Sequence, residues 1–352
     1  MTDETKLLLA GAAAPVAVIM TWTYFRDRLR EPPHVVAWTM VLGGLASIPI
    51  VAAENFVQGM LGISDTPETL GQAFAISFLI AALIEEYFKM QVLQRYSARH
   101  SAFDEPYDGI VYGVAASLGF ALVENIMYVL QAQSDGFEAG VSTAVGRAVL
   151  SVPLHGACGA IMGCCIGIAR FSRGRARAGW TIAGFLGAVL LHGTYDTFAF
   201  SGNTPEVIAF GDQRLPVFGC LVVTALGTSV AALAAARVRR DQLRGQPDSS
   251  TPVLPIAALA SSAIGAIMIV CAIAAVLISD GRNGMQPAED EQFPLTPAAV
   301  VAGVGIVIEA VSFILSLIAL FAVRRWKPAS ICALLMSGTV VGLVALLVAL
   351  AG

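Results

Sequence analysis

Runs of about 20 apolar residues recur from one end of this chain to the other, the length an α-helix needs to cross the hydrocarbon core of a bilayer. They cover residues 7–25, 35–60, 71–94, 109–131, 143–169, 179–200, 216–236, 253–279, 298–323 and 329–351. A surface helix of a water-soluble domain would interrupt such runs with a polar face at every turn. Of the 352 residues, 57% are hydrophobic and 13% charged, about half the charged share of a soluble domain. The expected fold is therefore all-α, a polytopic transmembrane bundle of about ten spans.

Loop charges set the expected orientation through the positive-inside rule. Met1 to Lys6 is slightly acidic, and the basic cluster Arg26, Arg28 and Arg30 follows the first span. That order is the reverse of a cleavable signal peptide and places the N-terminus outside. The cytoplasmic side then receives, with that cluster, Arg95, Arg99, Arg170, Arg173, Arg175, Arg177, Arg237, Arg239, Arg240, Arg244, Arg324, Arg325 and Lys327. The outer side receives only Lys6, Arg214 and Arg282. With about ten spans the C-terminus is also extracytoplasmic. A polar linker, 241–252, separates a seven-span part (1–240) from a three-span module (253–352). The net charge of −4 and the absence of a basic patch argue against nucleic acid. All six cysteines lie in apolar runs without metal-ligand spacing and read as small core residues.

Ionisable groups inside the spans carry the chemistry. Each costs about 2.5–3.5 kcal/mol at mid-helix and persists where it faces the bundle interior with partners. Four consecutive spans hold Glu85, Glu86 and Lys89; Glu124 and Asn125; Arg147 and His155; His192 and Asp196. Residues four apart share a helix face. On that spacing Ser77, Ala81, Glu85 and Lys89 form one stripe. Arg147, Ser151, His155, Gly159, Gly163 and Gly167 form a second, and Gly184, Ala188, His192 and Asp196 a third. Small residues beside polar ones predict close helix contacts with the polar groups facing one another. Singly, these groups have structural readings: an ion pair for Glu85 and Lys89, a helix-locking bond for His192 and Asp196, a carboxylate partner for Arg147. Glu54 reads as interfacial, Glu309 as locally structural, and Asp108 as an N-cap. Together, two imidazoles and several carboxylates in adjacent spans point to catalysis.

Peptide hydrolysis needs an activated water, a stabilised oxyanion and a proton for the leaving amine. A carboxylate in a low-dielectric site serves as base and then acid. Glu85 and Glu86 suit that role, with Lys89 keeping one ionised and His155 and His192 binding the water or oxyanion. Asp196 is placed to orient the His192 ring. The same set offers a zinc site through His155, His192 and Glu124 or Asp196. An HExxH motif is absent, and the residues leave the two schemes open.

The segments EExxK (Glu85 to Lys89), FxxxEN (Phe120 to Asn125), RxxxxxxxH (Arg147 to His155) and HxxxD (His192 to Asp196) resemble, in order and spacing, the PrsW family of intramembrane proteases. That family is distantly similar to CAAX prenyl endopeptidases and bacteriocin-processing membrane proteases. Phe103 to Gly109 also looks like the family, and the likeness covers residues 70–200. It implies an intramembrane endopeptidase in the cell membrane that makes a site-1-type cut in a membrane-spanning, anti-sigma-factor-like substrate. Glu85, Glu86, His155 and His192 would be catalytic, with Glu124 and Asp196, and with Lys89, Asn125 and Arg147 in support. The expected mechanism is glutamate-type; the alternative is a zinc enzyme using the same residues. Readings of another class are a proton-coupled transporter, which would need inverted repeats, or an inert membrane scaffold. At about 1.5 Å per residue, Glu85 lies about 14 Å from the cytoplasmic end of its span and Glu124, His155 and His192 about 20 Å from theirs, three of the four leaning to the outer half. Water is therefore expected to enter from the extracytoplasmic side.

Overall fold

The computed structural model describes residues 2–63, 66–202, 204, 207–208 and 214–243. The three expected C-terminal spans, the linker after Leu243 and Glu309 lie outside them. Among the described residues every regular element is helical. Five helical stretches among the described residues are long and apolar enough to cross a membrane: Asp3–Arg26, Pro33–Leu61, Pro106–Gln133, Phe137–Phe171 and Pro216–Asp241.

The chain divides into two compact units. The first, Met1–Gly62, Phe78–Tyr195 and Cys220–Thr251, holds most of the polar residues singled out above. The described part of the second is drawn from Ile63–Ser77 and Asp196–Gly219.

Within the first unit, α1 is Asp3–Arg26, α2 Pro33–Leu45 and α3 Ser47–Leu61. The expected span 35–60 is thus two helices that meet at Ala46. Proline explains the break. The ring of Pro49 clashes with the carbonyl four residues back, and its nitrogen cannot bond to it. That carbonyl belongs to Leu45, the last residue of α2. The expected span 143–169 divides by the same rule. Pro153 sits in the first turn of α8 (Ser151–Phe171), where no N–H is needed, and the residue four before it, Val149, ends α7 (Phe137–Val149). Arg147 and His155 therefore belong to different helices, not to one continuous stripe.

The third expected span is also interrupted. It runs as α4, Leu70–Ala75, then a π-helical segment, Ile76–Ala82, then α5, Leu83–Arg95. A π turn inserts a residue relative to an α turn, which rotates the downstream helix face by about 100°. Glu85 and Glu86 open α5 directly after it.

α6, Pro106–Gln133, and α8 form the centre of the first unit. The protein buries 72% of the most apolar stretch of α6 and 83% of that of α7–α8. For α1, for α2–α3 and for the last helix, α10 (Arg214–Leu243), the share is only 28–39%. Their outer faces carry Trp22, Trp38, Ile48 and Phe56, all exposed, as lipid-facing residues would be. The small-residue stripe explains the central contact. A Cβ at Gly109, Gly113, Gly159, Gly163 or Gly167 would strike backbone or Cβ atoms of the opposite helix, so glycine lets α6 and α8 approach to backbone contact. α9, Gly174–Ser201, carries His192. α10 continues through Asp241–Leu243, so the first residues of the expected linker are helical.

Candidate active site

α5 supplies three of the site's charges. Glu85, Glu86 and Lys89 are 6%, 0% and 1% exposed. At i+3 and i+4, Lys89 reaches both carboxylates: its Nζ lies 2.9 Å from Glu85 Oε2 and 2.8 Å from Glu86 Oε1. The third ammonium hydrogen points to His155 Nδ1 at 3.3 Å. Lysine has three donors and no acceptor, so all three are used. The ammonium also sits 4.2 Å from the Phe120 ring centroid, a favourable place for a desolvated cation.

Because Lys89 donates to His155 Nδ1, the ring proton of His155 resides on Nε2. That nitrogen donates to Glu124 Oε2 at 2.9 Å. The carboxylate of Glu124 is held in turn by Arg147 Nη2 at 2.7 Å. Arg147 Nε donates to Asn125 Oδ1 at 2.6 Å, and Asn125 Nδ2 donates to the Ala12 carbonyl at 3.1 Å. Arg147 thus reaches α6 from the end of α7, and the α7–α8 break places it there. These bonds, running from α5 through α6 and α7 to α1, lock the His155 ring in a single orientation.

His192 meets α5 from the other side. Its Nδ1 is 2.9 Å from Glu86 Oε1, and its Nε2 is 3.8 Å from Glu85 Oε2. The two imidazoles lie edge to face with centroids 5.0 Å apart. Glu86 Oε2 is buried and accepts no hydrogen bond. Glu85, Glu86, His155 and His192, all buried, and the half-buried Glu124 therefore form one continuous polar network across four helices. Asp196 follows His192 by one turn on α9 but falls in the second unit.

One participant escaped the sequence reading. Glu54 on α3, expected at the interface, is half-buried and interacts electrostatically with Glu85, Glu124, Lys89 and His192. The echo between Ala53-Glu54-Asn55 and Val123-Glu124-Asn125 was the available signal. Asp108 differs as well: it occupies the third position of α6, not the cap. From there its Oδ2 accepts from the backbone of Glu105 at 2.7 Å and Asp104 at 2.8 Å.

The donor set fits a metal ion. One ligand atom from each of Glu85, Glu86, His155 and His192 lies within 4.8 Å of the others, and all four residues are buried. Two imidazole nitrogens and carboxylate oxygens are zinc ligands, and the unpartnered Glu86 Oε2 leaves a lone pair available. The carboxylates in this group are Glu85 and Glu86. Glu124 stands on the far side of His155, bonded to the nitrogen that faces away from Lys89.

Comparison with known proteins gives the setting for this network. Residues 31–233 match the model of the PrsW family intramembrane metalloproteases. Protease PrsW of Bacillus subtilis (strain 168) is 37% identical over 190 residues, covering 54% of this chain and 81% of that protein. Protease PrsW of Geobacillus kaustophilus (strain HTA426) is 37% identical over 189 residues, covering 54% and 78%. The same enzyme of Clostridioides difficile (strain 630) is 29% identical over 53% and 76%. No solved structure matches. The matched region contains the whole Glu–His–Lys network and excludes the C-terminal hundred or so residues, so this chain belongs to the PrsW family of intramembrane metalloproteases and is an intramembrane peptidase.

Proposed function

We propose that Glu85 is the general base and acid of this peptidase, that Glu86 and Lys89 hold the charge around it, that His192 stabilises the oxyanion, and that His155 orients Lys89. The observation that carries this reading is the unequal bonding of the two adjacent carboxylates. Glu86 is fully buried and engaged by both Lys89 and His192, so its charge is committed. Glu85 has Lys89 as its one close partner and lies 3.8 Å from His192 Nε2. A water between Glu85 and His192 would lose its proton to Glu85 as its oxygen attacks the scissile carbonyl. His192, its Nδ1 held by Glu86, would meet the developing oxyanion through Nε2–H as the imidazolium. Glu85 would then return the proton to the leaving amine. Glu124, Arg147 and Asn125 act by positioning His155, and Asp196 is proposed to support His192 from the next turn.

A metal fits the same reading. Zinc held by Glu86, His155 and His192 would polarise the scissile carbonyl and acidify the bound water, with Glu85 still handling the proton. Lys89 already donates to Glu86 and His155 of that set, which favours proton chemistry by the carboxylates themselves. Membership in a protease family selects peptide hydrolysis over the transporter and the inert scaffold.

The substrate is a membrane protein. We assign it to the class with one transmembrane helix, of the anti-sigma-factor type, in the cell membrane. The N-terminus is placed outside, with water reaching the site from that side and the cut near the outer end of the substrate span. The test uses the full chain in proteoliposomes with a single-span reporter substrate. Glu85→Gln, Glu86→Gln, His155→Ala and His192→Ala should each insert normally and lose cleavage. Full activity in the double Glu85→Gln/Glu86→Gln variant would overturn the assignment. Loss of wild-type activity on chelation, restored by zinc, would select the metal scheme. A product terminus mapped to the cytoplasmic half of the substrate span would refute the proposed side of entry.

A further inference from the structure

Asp27, Glu31, Glu105 and Asp108 form a second cluster, with no member in the Glu–His network. Asp27 follows the last residue of α1, and Glu31 lies in the short link before α2. Glu105 caps α6, and Asp108 stands in its first turn. Asp27, Glu31 and Asp108 are 3%, 3% and 0% exposed. One carboxylate oxygen of each of these three lies within 4.8 Å of the other two.

Their hydrogen bonds are one-sided. Asp27 Oδ1 accepts from Leu29 N at 3.2 Å. Asp108 Oδ2 accepts from two backbone amides, and Glu31 Oε2 accepts from the Tyr112 hydroxyl. These bonds fix the carboxylates in place. The remaining oxygens Asp27 Oδ2, Asp108 Oδ1 and Glu105 Oε1 are buried and accept from no N–H or hydroxyl donor; Asp27 faces Glu105, and Glu31 faces Asp108, carboxyl to carboxyl at hydrogen-bond range. Among the described residues none of the four acids pairs with a lysine or arginine; Arg30 acts on Asp27 only as a more distant charge. Several buried carboxylates at this range cannot all remain ionised without a counter-charge.

We propose that Asp27, Glu31 and Asp108, with Glu105 beside them, bind a divalent cation of the oxygen-seeking class, Ca2+ or Mg2+. The donor set is all oxygen, the preference of hard cations over zinc. Ligands at about 2.3–2.6 Å from Ca2+ stand up to about 5 Å apart across the ion, and the three oxygens, all within 4.8 Å of one another, are close enough to share one. Mg2+ would draw the acids together by about half an ångström. Bound there, the ion ties the α1–α2 link to the N-terminus of α6. It would thereby fix the helix that carries Glu124 and Asn125 to the proteolytic network.

The test uses full-length protein carrying His155→Ala and His192→Ala, so that the Glu–His site does not contribute. After chelation the protein is titrated with Mn2+ followed by electron paramagnetic resonance, with Ca2+ and Mg2+ as competitors. A single tight Mn2+ signal per chain is expected, displaced by Ca2+ or Mg2+, with a thermal midpoint that rises with cation. Asp27→Asn and Glu31→Gln should each weaken binding at least about 10-fold. The two substitutions lie outside the helices, and each serves as the test should the other misfold. Unchanged Mn2+ affinity in both variants would overturn the proposal. So would absence of binding at about 1 mM together with stability that rises only as pH falls, the signature of a cluster holding protons.

Discussion

Replacing Lys89 by Met is the most informative single perturbation of the proteolytic network. The substitution keeps the length and apolar stem of the side chain and removes the ammonium. That group is 1% exposed and makes bonds of 2.9, 2.8 and 3.3 Å to Glu85, Glu86 and His155. At such burial, solvent screening does not soften the loss. Removing one partner of a buried ion pair costs about 3–5 kcal/mol, because the other charge is left unpaired. Here two adjacent carboxylates are left, so the upper half of that range is expected. Proton uptake by one of them would return part of it. The assay is unfolding by SDS in mixed micelles, followed by circular dichroism. The unfolding constant should rise by about two to three powers of ten. The double variant Glu85→Gln/Lys89→Met should be more stable than the sum of its single changes predicts, since it removes one of the stranded charges. A loss below about 1 kcal/mol, the level of an exposed pair, would refute the picture of a dry, charge-compensated site. So would strict additivity of the two changes.

Other outcomes rest on particular contacts. Arg147→Lys should fail to hold Glu124 and Asn125 together, since one ammonium lacks the fork that spans both; cleavage should fall with little change in insertion, and wild-type rates would discount the positioning role. Gly113→Val should destabilise the first unit more than Gly146→Val, because only Gly113 faces the backbone of α8; equal thermal midpoints would contradict the α6–α8 contact. Glu105, outside the membrane spans, has its pKa raised from 4.5 to about 7 by burial and by the neighbouring acids. The folded state then binds more protons than the unfolded one between about pH 4.5 and 7, so in chelator stability should fall as pH rises through that window. Glu105→Gln should flatten this part of the profile, and an unaltered profile would count against it.

Local rules in the chain determine a good deal of this protein. Twenty-residue apolar runs leave a helix as the backbone's way to satisfy itself in lipid. Spacing by four placed Glu85 with Lys89 and aligned Gly159, Gly163 and Gly167, and both features depend only on helix geometry. The helix breaks at Ala46 and Leu150 were equally legible, from the carbonyl four residues before Pro49 and Pro153, although the apolar runs mask them. Tertiary structure decided what no spacing rule reaches. Glu54 and Glu124 are separated by 70 residues of sequence, yet both act on Lys89. Arg147 serves Glu124 and Asn125 because the chain breaks after Val149, and a continuous helix would have aimed it along the His155 stripe. Asp27 and Glu31 meet Asp108 only because α1, α2 and α6 pack at one end. Local sequence dictates which groups share a helix face. Which faces meet depends on backbone approach between helices, here set by glycines on α6 and α8 too far apart in the chain to signal one another.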